Sequence, residues 1–334
     1  GLLIGGILIP IFGLIMIGEG SLLDGLSILT TENPDKFKSM GGENDPVPFY
    51  TIFTGMMLVQ LFYWGTNQQI IQRALAAKDL KEGQKGLLLA SFIKILGPLI
   101  VVLPGLIAYH IFEGNLESAD SAYPMLVKKV LPTAWVGFFA AVLFGAILSS
   151  FNSVLNSSVT LFGLDIYKQH INKGANEKTI VKYGKTFGVL LAIAAMFIAP
   201  LIANAGSLFD YLQKVNGIYS IPILTIIIVG YTTKYVPAIA AKIGLFSGCL
   251  LYITYMLIDI YSPEVFSRLH FLDICAILFI LNILIMLIIG YFKPREEAYV
   301  QEYTKQVDIT PWKYLKPVSI AICLIVIGVY IYFT

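Results

Sequence analysis

Nine runs of mostly apolar residues follow one another along this chain, at roughly 2–17, 49–70, 86–112, 133–166, 186–204, 207–231, 243–261, 271–292 and 317–334. A helix needs about 20 such residues to cross the hydrocarbon of a bilayer. In lipid the backbone of each run must satisfy its own polar groups, which a helix does within one segment. A β-barrel needs strands of about ten residues with alternating polarity, and these runs do not alternate. The pattern predicts an all-α polytopic membrane protein with about nine transmembrane helices. Only 13% of the 334 residues are charged, against about 25% in a soluble domain. That is too few to cover a water-facing surface, and it excludes an ordinary soluble enzyme and a disordered chain.

The connections between the runs set an orientation. Those after the second, fourth, sixth and eighth runs carry sixteen lysines and arginines, and the others carry five. The excess of positive charge marks the first group as cytoplasmic. A net charge of +2 leaves no basic footprint for nucleic acid. Cys249, Cys275 and Cys323 lie in apolar runs without metal-ligand spacing, and His110, His170 and His270 sit singly near run ends. The run 133–166 is longer than a bilayer requires and should tilt or extend into water. The stretch 18–48, rich in Gly, Asp, Glu, Asn and Pro, reads as an irregular extracytoplasmic loop. Gly1 opens inside an apolar run with neither Met nor a charged leader, which predicts a fragment preceded by further helices.

Polar groups inside spanning runs are costly and mark candidate sites. The second run crowds Gln60, Tyr63, Trp64, Thr66, Asn67 and Gln68 around Gly65, which can break a helix and free backbone groups for a ligand. Aromatic faces suit sugar C–H surfaces and amides suit hydroxyls, although an aromatic pair also suits the membrane interface. Lys94 lies about eight residues inside the third run, either donating to a partner or snorkelling. In the fourth run Ser149, Asn152, Ser153 and Asn156 recur at three- and four-residue spacing and share a helix face. Serine hydroxyls with a carbonyl one turn earlier can ligate a hard cation such as sodium. Close helix packing uses the same small residues. The sixth run holds Asp210, Gln213, Lys214 and Asn216 ahead of Gly217 and Pro222. Asp210 and Lys214 are spaced to pair on one face, leaving Gln213 with unmet hydrogen bonds unless something binds. No phosphate-binding loop, metalloprotease histidine pair or serine-hydrolase elbow is present, so the chain does not read as an enzyme.

Several blocks at these positions resemble the sodium/solute symporter family, especially the bacterial sodium/galactose and animal sodium/glucose cotransporters. They are 62–68 continuing through 70–78, Gln84-Lys85-Gly86, 101–105, Ser149-Ser150 with Leu155-Asn156-Ser157, 164–168 and Phe209 to Gly217. The resemblance covers nearly the whole chain. It implies the leucine-transporter architecture of two inverted five-helix repeats with extra helices. Residues 1–17 would end the first repeat, 18–48 would be an extracytoplasmic loop, 49–231 the second repeat and 232–334 the accessory helices.

Carried over residue by residue, the resemblance makes Tyr63 an inner aromatic gate with Trp64 its neighbour. Gln60 becomes the polar position one turn earlier, Lys94 a lysine near the solute, Gln213 the glutamine that bonds sugar hydroxyls, and Phe209 an aromatic wall. Ala146 (through its carbonyl), Ser149 and Ser150 become the second-repeat half of a sodium site. Gln60 departs from the family's Asn or Thr. Asn152 stands where the animal proteins carry a hydroxyl for a second sodium, which implies one sodium per cycle. The implied function is sodium-coupled import of a small polar solute, a monosaccharide, by alternating access. The implied setting is multi-pass in the plasma membrane, the inner membrane in a bacterium, with sodium as its cofactor and the bilayer and solute as partners. Inositol, an amino acid, pantothenate, sialic acid or an anion is the alternative solute. The membrane sensor module of a signalling protein is the alternative from a different class.

Overall fold

The computed structural model of the chain describes residues 1–42, 45, 47–116, 118–202, 208–301 and 307–334, and for Phe209 and Asp210 the backbone alone. Among the described residues every regular element is helical. In chain order the α-helices are α1 (Leu2–Ile17), α2 (Leu22–Glu32), α3 (Gly55–Gly65), α4 (Gln68–Leu75), α5 (Leu80–Lys94), α6 (Leu103–Ile111) and α7 (Ala122–Val130). They continue with α8 (Thr133–Leu161), α9 (Glu177–Ile202), α10 (Leu208–Thr232), α11 (Ala238–Tyr261), α12 (Phe271–Phe292) and α13 (Leu315–Tyr332). Wider-wound helical turns at Pro98–Val102 and Phe162–Ile171 extend the third and fourth apolar runs.

By length and composition, six of these segments can cross a membrane, and eight can if each of two bent pairs counts as one span. The bent pairs are α1 with α2, at 80°, and α5 with Pro98–Ile111, at 41°. The remaining apolar run, 49–70, is divided into α3, of 11 residues, and α4, of 8. Neither piece spans a bilayer by itself. The expected irregular stretch at 18–48 contains α2. Ser21 caps it by accepting from the Asp24 amide, and Leu29 seats it in the core. The polar residues suggested a loop, but tertiary packing of Leu29 and the close approach of Gly25 to the Leu14 carbonyl hold a helix there.

The chain forms two compact units. The first comprises Gly1–Ser39, Gln84–Leu208 and Pro311–Thr334. Its core joins Ile9 and Leu14 of α1, Leu29 of α2, Ile107 of α6, Leu126 and Val130 of α7 and Phe139 of α8. α8 and α9 are apolar yet almost entirely exposed, with 6% of each hydrophobic stretch buried. Helices of that kind are stable in lipid and not in water. Stacked rings join the α8 extension to α9, with Phe162 over Phe187 at 4.2 Å and Tyr167 over Tyr183 at 4.6 Å.

The second unit comprises Met40–Gly83 and Phe209–Thr310. Its core gathers Leu58 and Phe62 of α3, Ile221 and Leu224 of α10, Tyr252 and Tyr255 of α11 and Cys275 and Leu278 of α12. α12 starts from a reciprocal cap. The His270 side chain accepts from the Leu272 amide at 3.3 Å, and Asp273 accepts from the His270 amide at 3.0 Å. Tyr50 also donates to Asp273, at 2.8 Å. Gly55 rests directly on the Leu272 carbonyl, so the start of α3 is seated against the start of α12.

A Cβ at position 55 would overlap that backbone carbonyl, which no rotamer change can relieve. Gly55→Ala is expected to destabilise the protein by about 1–3 kcal/mol. Position 65 faces open space, and Gly65→Ala is expected to leave stability nearly unchanged. Melting temperatures of the two variants in one detergent decide it, and equal melting would contradict the close seating of α3.

Candidate solute and sodium sites

α3 has two unlike sides. Leu58 and Phe62, four residues apart, point into the core of the second unit, and Phe62 meets Tyr219 of α10 edge-on at 5.8 Å. Gln60, Tyr63 and Trp64 lie on the remaining surface. The Trp64 indole donates to Gln60 Oε1 at 3.0 Å, and Tyr63 and Trp64 meet edge to face at 5.3 Å. Both rings stay well exposed, at 40% and 38%. The structure brings these three predicted residues into one aromatic and amide patch.

The patch ends where the helix breaks, and Gly65 is not the direct cause: it is the last residue of α3. The chain turns at Thr66 and Asn67. Thr66 Oγ1 donates back to the Phe62 carbonyl at 2.9 Å, and Asn67 caps α4 by accepting from the Gln69 amide at 3.0 Å. A break of this kind leaves end carbonyls of one helix and first amides of the next without intrahelical partners. They lie beside Tyr63 and Trp64 in the sequence.

Gln213 sits on α10, half-buried, and among the described residues its amide makes no hydrogen bond. Its neighbour Lys214 does not follow the expected pairing with Asp210. Lys214 Nζ donates to Asp259 of α11 at 3.1 Å, a contact 45 residues away that helix spacing does not reveal. The side chains of Asp210 and Phe209 lie outside the described residues. Asn216 accepts from the Tyr219 hydroxyl, so the polar side of α10 is ordered by its own residues below Gln213.

Lys94 and the sodium candidates belong to the first unit. Lys94 is the exposed last residue of α5, directly before the bend at 95–97 that precedes Pro98. It therefore ends a helix segment, where the terminal carbonyls favour a cation. The sequence placed it inside a continuous span because the proline's effect reaches back four residues.

The face predicted on α8 is present. Gly145, Leu148, Ser149, Asn152, Ser153 and Asn156 line one depression of about 500 Å³. Within this stretch the hydroxyls divide into two kinds. Ser153, Ser157, Ser158 and Thr160 each donate to a carbonyl four residues back, at 2.8 to 3.0 Å. Ser149 and Ser150 are exposed, and among the described residues neither hydroxyl makes a hydrogen bond. Ala146 lies one turn before them. Among the described residues no three His, Cys, Asp or Glu side chains gather to hold a metal. A cation here would rely on neutral oxygens, a donor set that fits a hard monovalent ion.

A model of the sodium:solute symporter family matches residues 2–248. The chain belongs to that family. It is 47% identical over 331 residues to an uncharacterized symporter, YidK, of Escherichia coli (strain K12), covering 99% of this chain and 57% of that protein. It is 36% identical over 248 residues to a sodium/glucose cotransporter of Vibrio parahaemolyticus, covering 68% and 46%. It is 30% identical over 288 residues to a human sodium/myo-inositol cotransporter 2, covering 77% and 42%. The chain thus spans about half the length of these curated relatives. Membership makes it a multi-pass membrane protein of a plasma-membrane symporter family, not an enzyme. Sodium in such a symporter is a co-transported substrate, which corrects the expectation of sodium as a cofactor.

Asn67 holds the break beside Tyr63 and Trp64. Asn67→Ala removes the cap and is expected to cost about 1 kcal/mol, while Asn67→Asp keeps the acceptor and most of the stability. Thermal melting of both variants checks this, and identical losses would show that the cap is not what holds α4.

Proposed function

We propose that this chain is part of a sodium-coupled symporter for a small polyhydroxylated ring, a monosaccharide first and an inositol second. The architecture proposed is the leucine-transporter type, with 49–231 forming the second inverted repeat and 232–334 the accessory helices. Two of the relatives are named for glucose and for myo-inositol. Both are six-membered rings with hydroxyls around an apolar C–H face.

The observation that carries the sodium assignment is the division among the six hydroxyls of α8 between Ser149 and Thr160. Four are tied back to the helix and two, Ser149 and Ser150, retain their capacity. With the Ala146 carbonyl they offer oxygen ligands of the kind sodium accepts. For the solute, Tyr63 and Trp64 supply aromatic faces to stack on ring C–H groups. Gln60 orients the indole, and the Gln213 amide supplies a donor and an acceptor for hydroxyls. Phe209 and Lys94 complete the solute set by resemblance alone. Transport proceeds by alternating access, with Tyr63 as the inner gate. The ion's descent supplies its concentration gradient plus about 2.3 kcal/mol per charge for each 100 mV of membrane potential. The ion can favour one conformation only by its differential affinity for the two.

In vesicles holding the full-length protein, Ser150→Ala is expected to raise the sodium concentration for half-maximal uptake about tenfold, the cost of a lost charge-assisted contact. Unchanged sodium dependence would remove Ser150 from the ion site. Gln213→Ala is expected to raise the half-saturating solute concentration about tenfold without lowering the melting temperature. Competition of sodium-driven uptake by glucose, galactose, myo-inositol, proline, pantothenate, sialic acid and iodide identifies the solute. Competition by proline or iodide, with none by the rings, would overturn the polyol assignment.

A further inference from the structure

Lys214, Gly217 and Ile221 of α10 follow one another at spacings of three and four residues and so share one face of the helix. Tyr252, Tyr255 and Asp259 of α11 do the same. The two faces meet in a seam. Lys214 Nζ donates to Asp259 Oδ2 at 3.1 Å. One turn further along α10, the Tyr252 ring occupies the space that a Cβ would take at Gly217, and Ile221 packs into the core that holds Tyr252 and Tyr255. Beyond them the Pro222 ring lies against Gly248 of α11, where a Cβ would meet it at 2.7 Å.

Gln213 lies about 100° around α10 from Lys214, to the side of this seam rather than across it. The seam therefore sets where its amide is aimed. A turn of α10 by about 20° would carry a group about 6 Å from the helix axis through roughly 2 Å. A hydrogen bond tolerates a few tenths of an ångström. The contacts at Gly217 and Pro222 fix how closely the two helices approach. The ion pair sits on the residue next to Gln213 and resists rotation of that turn. Its side chains are 42% and 30% exposed, and a pair so placed contributes little to stability. Its effect falls on orientation.

We propose that Asp259 is a positioning residue for the solute site: through Lys214 it holds the turn of α10 on which the Gln213 amide is presented. This role rests on Gln213 being a solute ligand, as proposed above. Asp259 acts through Lys214 and not by touching the solute. Removing its charge leaves the contacts at Gly217 and Pro222 in place. The helix then stays folded while the turn bearing Gln213 loses its aim.

In vesicles holding the full-length protein, Asp259→Asn is expected to raise the half-saturating concentration of D-glucose or myo-inositol about fivefold. The maximal rate, the half-saturating sodium concentration and the melting temperature should stay nearly unchanged. The charge swap K214D/D259K restores the pair in reverse and should recover most of the affinity. In a Gln213→Ala background, Asp259→Asn should add nothing. A second measurement needs no solute. In detergent, with Cys249, Cys275 and Cys323 replaced by alanine, Gln213→Cys is modified by a charged maleimide. Asp259→Asn should change that rate about threefold or more and leave the rate of Tyr231→Cys, near the far end of α10, unchanged. A shift in sodium dependence or maximal rate without one in solute affinity, an added loss in the Gln213→Ala background, a charge swap that folds but recovers nothing, or equal modification rates would each overturn the proposal. If Gln213→Ala alone leaves uptake unchanged, the solute role of Gln213 falls, and the modification rates alone decide whether Asp259 orients position 213.

Discussion

In hydrocarbon a peptide N–H or C=O without a partner costs several kcal/mol, so a spanning chain is helical until its sequence supplies a replacement for the missing bonds. Most of this molecule obeys that constraint without interruption, as α8 to α12 do over 22 to 29 residues each. The interruptions are few and locally furnished. At 18–21 the Ser21 side chain closes the turn, and at 66–67 Thr66 and Asn67 do so. At 95–97 the Ile95 and Leu96 amides tighten onto the carbonyls three residues before them. Two of these breaks sit directly after residues proposed for the solute site, namely Tyr63 and Trp64 at one and Lys94 at the other. A broken helix is where backbone polarity and side-chain polarity can be offered together without exposing either to lipid.

Much of this was legible in the sequence for a physical reason. Run length reports membrane thickness, so α12 falls at 271–292 with the expected bounds. Three- and four-residue spacing reports a helix face, so the depression from Gly145 to Asn156 follows from the order of its residues. The patch of Gln60, Tyr63 and Trp64 was visible because all three lie within about one helical turn. What stayed hidden depended on contacts between distant residues. The partner of Lys214 is 45 positions away on α11. The seating of Gly55 on Leu272 and the packing that makes 22–32 a helix have no local signature.

The small-residue alphabet posed a different difficulty. Serines that pack a helix, serines that bond back to their own backbone and serines that meet an ion are written with the same letter. Ser150 and Ser153 lie three residues apart on one helix and carry the same side chain. They differ in the structure because Ser153 spends its hydroxyl on the Ser149 carbonyl, and the Ser150 hydroxyl has no such bond. The distinction depends on which rotamer each site selects, which spacing does not encode.

The ion pair of Lys214 with Asp259 carries a mechanical consequence. α10 bears Gln213 and α11 bears Asp259, and between them the Tyr252 ring fills the space left by the missing Cβ of Gly217. Any swing of the upper part of α10 away from α11 would part a half-exposed lysine from its aspartate and uncover a tyrosine that is wholly enclosed. The two helices are therefore harnessed as one lever. α11 thereby sets the stiffness of the part of α10 that carries Gln213.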